Sequence, residues 1–173
     1  MTPHLPLFLQ VRRRRSAAVL VVGAIATVAL VQSGVLSFFW TPTIVGLSYL
    51  AAAAAAGRTG ALWAPGLITT CWGITVLLGV HQVVPGDKRS YLLAGAVGIA
   101  LALLLRRTLG LAAGYLGMAV SFAAIAVYDN AYVPSWVFHG TTFAVVLGVW
   151  GLWDLRPQRP EPAAKAPDPS GQL

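Results

Sequence analysis

The chain has 173 residues, of which 57% are hydrophobic and 10% charged, with a mean hydropathy of +0.74. Soluble domains carry about 25% charged residues, so the composition excludes a disordered chain, a collagen-like fibre and an ordinary soluble domain, and leaves an integral membrane protein. Twelve Lys and Arg stand against five Asp and Glu, a net charge of +7. A basic excess can serve nucleic acid, but here the charges fall between apolar runs. They read as topology signals, and no nucleic-acid partner is expected.

Six apolar segments follow in chain order. The first, 17–39, comes after Arg12, Arg13, Arg14 and Arg15. It imitates a signal peptide, with Val31-Gln32-Ser33 as a small-residue cleavage site. The run nevertheless continues through Val35, Leu36, Phe38 and Phe39, so an uncleaved anchor is expected. The four arginines lack the flanking pattern of a twin-arginine signal and read as a topology determinant. The second segment, 43–56, is short: about 14 residues reach about 21 Å, against a hydrocarbon core of about 30 Å. It is either re-entrant or extends through Gly57 to Ala61. The third segment is 61–84, the fourth 90–105, the fifth 108–128 and the sixth 134–155. Proline, glycine or charge separates most neighbours, as at Pro42, Arg58, 85–89, Arg106-Arg107 and Asp129-Asn130. Long runs without strict alternation predict helices rather than barrel strands.

Positive charge sets the orientation. If all six segments span and the N-terminus is inside, the cytoplasmic side holds the arginines at 12–15, Arg58, Arg106, Arg107, Arg156, Arg159 and Lys165. Only Lys88 and Arg89 fall outside. If the second segment does not span, the charges divide evenly. The positive-inside rule therefore predicts an all-α bundle of six transmembrane helices in the plasma (inner) membrane, with both termini cytoplasmic. The expected organisation is a basic N-terminus over 1–16, a transmembrane domain over 17–155 and a proline-rich disordered tail over 156–173. Pro157-Gln158-Arg159-Pro160 in that tail matches PxxP only formally. The alanine, glycine, arginine and proline bias suggests a GC-rich bacterial coding sequence.

Trp40, Trp63, Tyr91, Tyr132, Trp136, Trp150 and Trp153 lie near predicted span ends, as an aromatic belt would. Small residues recur at helical spacing: Ala94, Gly98 and Ala102 on the fourth span, and Gly110/Gly114 with Ala113/Gly117 on the fifth. Ala51 to Ala56 make the second span small on every face. Such stripes let helix backbones approach, within the bundle or against a partner membrane subunit or second copy. A weak repeat at an offset of 69 lays 61–65 over 130–134 and 76–80 over 145–149. It predicts a 3+3 inverted pair.

Polar groups within a membrane chain are costly, so function is sought there. The residues are Gln32, His81, Gln82, Asp129, Asn130, His139 and Asp154. Six spans place His81, Asp129, Asn130 and His139 at one outward-facing mouth, with Asp87 in a nearby loop. Asp154 falls near the cytoplasmic end, beside Arg156. An acidic group and two imidazoles suit capture of a cation, a metal or a polar solute. A bis-histidine haem site on His81 and His139 is a further reading, disfavoured by their unequal depths. A third reading has these residues simply hydrated at helix ends. No HExxH, GxSxG, P-loop or paired-carboxylate signature is present. The single Cys71 excludes an intrachain disulfide and CxxC chemistry, and reads as a small buried residue. No enzyme activity and no cofactor are expected. Active transport would need a partner ATPase or an ion gradient.

Six helices in about 170 residues without an ATPase motif resemble the substrate-binding subunits of energy-coupling-factor vitamin transporters in size and topology. No motif matches by position. The first span has only a loose Gly23, Ala26, Thr27 group where that family has an alanine-spaced coupling stripe. The expectation is a small-solute or ion transport component, with an accessory or assembly subunit of a membrane complex as the alternative.

Overall fold

A computed structural model describes residues 7–112 and 115–129, together with positions 145, 146, 148, 149 and 152. Among the described residues the protein is all-α. Its helices are α1 (Leu7–Gln32), α2 (Thr41–Ala56), α3 (Trp63–Val80), α4 (Lys88–Leu109) and α5 (Tyr115–Asp129). Four stretches are long and apolar enough to cross a membrane: Val11–Gln32, Phe38–Ala56, Trp63–Val80 and Arg89–Leu109. Helix α5 has 15 residues, which at 1.5 Å per residue is about 22 Å. The described positions between 145 and 152 are helical.

The first segment is displaced from its expected place. Helix α1 stops at Gln32, and Val35 to Phe39 are not part of it. Gly34 adopts φ +73, and the chain turns there on bonds from Ser33 N–H to Ala29 O and from Gly34 N–H to Val31 O. The length comes instead from the other end, because the helix already includes the arginines at 12–15. Those residues are helical.

The second segment reaches spanning length by a route the sequence did not suggest. A 3-10 turn, Phe38–Trp40, runs directly into α2, giving a continuous stretch of 19 residues. The extension is N-terminal. On the expected C-terminal side, Gly57 leaves the helix at φ +88. Pro42 sits in the first turn, where a missing N–H costs nothing.

Helix α4 runs further than expected and contains Arg106 and Arg107 in its last turn, facing the negative end of the helix dipole. Gly110 caps it in the left-handed conformation, its N–H bonded to Arg106 O. The proposed Gly110/Gly114 stripe on the fifth span therefore dissolves. Gly110 ends α4, and 113 and 114 lie outside the described residues.

Helices α1 to α4 form an antiparallel series, and α3 also packs against α5. One core joins Leu20 and Ala24 of α1 to Val45, Tyr49, Ala52 and Ala53 of α2. A second joins Ala64, Ile68, Trp72 and Val76 of α3 to Ala102 of α4 and to Met118 and Ile125 of α5. The stripe Ala94, Gly98, Ala102 faces inward, and a Cβ at Gly98 would lie 2.5 Å from Ile68 Cα. It serves packing within this chain. The alanine run in α2 buries Ala52 and Ala53 and leaves Ala51 and Ala54 exposed. Outward, Val22, Ile25 and Leu93 are each about two-thirds exposed, as lipid-facing side chains are.

Candidate functional site

The two ends of the bundle differ. At one end lie the start of α1, the α2–α3 turn and the end of α4. At the other lie the α1–α2 turn and the α3–α4 turn, with His81, Gln82 and Asp87.

His81 caps the C-terminus of α3 and is exposed. Its neighbour Gln82 is the only non-glycine residue with positive φ among the described residues, at +57. Gln82 N–H bonds Gly79 O and Val83 N–H bonds Leu78 O. This double reach-back closes a helix and normally places glycine at the left-handed position. Gly110 takes that conformation after α4, and Gly34 and Gly57, after α1 and α2, also have positive φ. Asp87 begins α4, its carboxylate accepting from Ser90 N–H at 2.9 Å. That backbone bond, first among several causes, holds its carboxyl below the ordinary carboxylate range.

Helix α5 starts beside the α3 start, where a Cβ at Gly117 would meet Pro65 Cγ at 2.6 Å. It then runs parallel to α3, so its last residue, Asp129, falls toward the His81 end. Asn130, His139, Asp154 and the aromatics beyond residue 129 lie outside the described residues, as does the tail from 156. Of the belt residues that are described, Trp40 is exposed at the α2 start. Trp63 donates its Nε1–H to Gly57 O at 3.0 Å. Tyr91 is half-buried in the first turns of α4. Cys71 is half-buried in α3, and its carbonyl accepts the Thr75 hydroxyl at 3.0 Å. Among the described residues no three His, Cys, Asp or Glu side chains gather to hold a metal.

A second polar feature lies between α2 and α3, and the sequence reading passed over it. Gly46 faces Thr70, Gly73 faces Thr43, and Gly66 faces Leu50. A Cβ on Gly73 would lie 2.5 Å from Thr43 N, and one on Gly46 would lie 2.5 Å from Thr70 N. The two backbones touch. The Oγ1 atoms of Thr43 and Thr70 lie in this seam, and these two, with that of Thr41 at the α2 start, are buried with no hydrogen-bond partner among the described residues. Other hydroxyls in the bundle behave differently. Thr27 donates to Gly23 O at 2.7 Å and Ser48 to Ile44 O at 2.8 Å, the usual bond to the carbonyl four residues back. Thr41 and Thr43 open α2, so the carbonyls four residues back belong to the preceding turn. Thr70 lies mid-helix, and its hydroxyl is aimed across at Gly46 instead. The signal in the sequence was Thr41-Pro42-Thr43 at a helix start, facing a glycine-spaced partner helix.

Comparison with known protein families, with curated proteins and with solved structures returns no match. The likeness to energy-coupling-factor subunits thus rests on size and topology alone.

Proposed function

We propose that this is a multi-pass component that moves a small solute or ion across a bacterial plasma membrane. It has six spans and cytoplasmic termini, and α2 and α3 form its closed gate. The observation that carries this reading is the threonine seam. Buried hydroxyls without partners are costly in hydrocarbon, where no water can satisfy them. Such a seam is relieved when the two helices separate and the hydroxyls meet water or a passing solute. Polar groups at membrane depth are retained for a pathway more readily than for packing. The seam leads toward the end that carries His81 and, at the close of α5, Asp129. In this reading His81, Asp129, Asn130 and His139 form the outward mouth, and an acidic group with two imidazoles favours a cationic or polar solute.

The test is flux into proteoliposomes, with sodium, potassium, magnesium and small organic amines as probes. At least one probe should cross, and Asp129→Ala or His139→Ala should abolish its passage. Unchanged flux in both variants would remove the mouth from the reading. No flux of any probe, together with stable co-purification of a fixed partner subunit, would establish the accessory role. A reporter fused to the C-terminus should read cytoplasmic, and an extracytoplasmic signal would refute six spans.

A further inference from the structure

Helices α2 and α3 meet in an antiparallel register of three tiers: Thr43 on Gly73, Gly46 on Thr70, and Leu50 on Gly66. The first two tiers are one four-residue pattern read in opposite directions, Thr43-Ile44-Val45-Gly46 in α2 and Thr70-Cys71-Trp72-Gly73 in α3. Each helix sets its threonine against the glycine of the other. A Cβ on Gly73 would lie 2.6 Å from Thr43 Oγ1, and one on Gly46 would meet Thr70 Oγ1. Thr43 is 7% exposed, and neither hydroxyl oxygen has a hydrogen-bond partner among the described residues. These tiers fall about 10 to 15 Å along α3, near the middle of its 18 residues.

Neither α2 nor α3 contains Asp, Glu, Lys, Arg or His. A glycine stands opposite each threonine, so the facing helix brings no further side chain to these hydroxyls. The carbonyls within a helix are already bonded to its own N–H groups. An ion at this depth must exchange its water for a countercharge or for a ring of oxygens. Two hydroxyls supply neither. The third tier is apolar, with the Leu50 side chain over Gly66, and an ion would lose even the hydroxyls there. A neutral solute forfeits only its own hydrogen bonds to water. A threonine hydroxyl replaces those in either sense, because it both donates and accepts.

We propose, resting on the transport reading above, that the solute passing between α2 and α3 is small, uncharged, and both a donor and an acceptor of hydrogen bonds, as a polyol, an amide or a free-base amine is. Thr43 and Thr70 are its specificity-determining residues. In the closed state their hydroxyls bond nothing, and in the open state they take the place of the water the solute has left. An amine crosses as its free base and leaves its proton in the water outside.

Flux into proteoliposomes of the full chain, corrected for protein-free vesicles, tests this with glycerol, urea, methylamine, sodium, potassium and magnesium. Glycerol and urea should cross, and the three metal ions should not. Methylamine flux should rise about tenfold per pH unit below about pH 10, in step with the free base of an alkylamine. Thr43→Val and Thr70→Val should each lower glycerol flux about fivefold, the loss of one hydrogen bond to the passing solute. Thr70→Ser retains the hydroxyl and should keep the flux. Thr27→Val, at a hydroxyl already bonded within α1, should leave it unchanged. Sodium or potassium crossing as readily as glycerol would leave the transport reading standing and overturn the uncharged solute. Failure of every probe to exceed its rate in protein-free vesicles would overturn both. Full glycerol flux in both valine variants would overturn the assignment to Thr43 and Thr70.

Discussion

The inner pair of helices and the outer pair are built by different rules. Half of the α2 span is buried inside the protein, against 22% of the α4 span and 28% of the α1 span. Yet α4 and α1 are the more hydropathic, at 1.8 each against 1.4 for α2. In water the more apolar helix goes inside. In lipid that ordering carries no force, because the solvent is as apolar as a leucine. What places α2 and α3 together is small size at the contact, through Gly46, Gly66 and Gly73. Dispersion between closely packed backbones then outweighs what bulky side chains would gain there.

This contrast can be broken by mutation. The largest effect is expected at the inner crossing. Gly73→Val would drive a side chain into the Thr43 backbone and should cost more than about 3 kcal/mol, since backbone cannot step aside. Val22→Ala or Leu93→Ala on the lipid faces should stay within about 0.5 kcal/mol. Unfolding in mixed micelles measures both. Comparable losses at the two places would show that burial, and not close approach, holds the pair together.

The next effect has the opposite sign. Thr43→Val and Thr70→Val each replace a partnerless buried hydroxyl by a methyl of similar shape, and each should stabilise by about 1 kcal/mol. Thr27→Val removes a bonded hydroxyl and should be near neutral or slightly destabilising. Under the transport reading the stabilised variants should also pass less solute, because the closed seam is favoured. Stabilisation without any loss of flux would separate the seam from the gate.

Smaller effects lie at the helix ends. Gln82→Gly should stabilise by about 1 kcal/mol, relieving a side chain held in the left-handed region. Gly110→Ala should destabilise by a similar amount for the mirror-image reason. If Gln82→Gly also lowers flux, the amide at that position does more than end a helix.

The smallest effect is at Asp87. Its carboxyl ionises below the ordinary range because the ionised form accepts the Ser90 N–H. A group with a depressed folded value contributes stability above its unfolded pKa. That contribution is lost as pH falls through the folded value. The melting temperature should therefore decline over the acid range, and Asp87→Asn should flatten that part of the profile while keeping the cap. An unaltered profile in the variant would assign the decline to other groups.

Some of this was legible in the residues and some was not. The third and fourth helices lie close to where their apolar runs and flanking breakers put them, since Trp63, Pro65 and the 85–89 turn are strong local punctuation. The first and second were misplaced together. Leu36, Phe38 and Phe39 are apolar enough to continue the first span, and hydropathy cannot tell the end of one helix from the start of the next. Gly34 made that division, and the turn at Phe38–Trp40 handed those residues to α2. Histidine, aspartate and amide side chains stand out against an apolar sequence, and His81 ends α3. The threonines escaped notice because a threonine in a membrane helix ordinarily bonds its own backbone. Only the approach of a second helix revealed that three of them do not.

By itself the sequence determined that this is a helical membrane protein, that its positive charge falls between and before the apolar runs, and roughly where the third and fourth helices run. Those are properties of local composition, because transfer into lipid sums over residues along the chain. The tertiary structure alone decided which helices touch and which hydroxyls lose their partners. Those follow from contacts between residues far apart in the chain, such as Gly46 with Thr70 and Arg12 with Gly57. No local sum contains them.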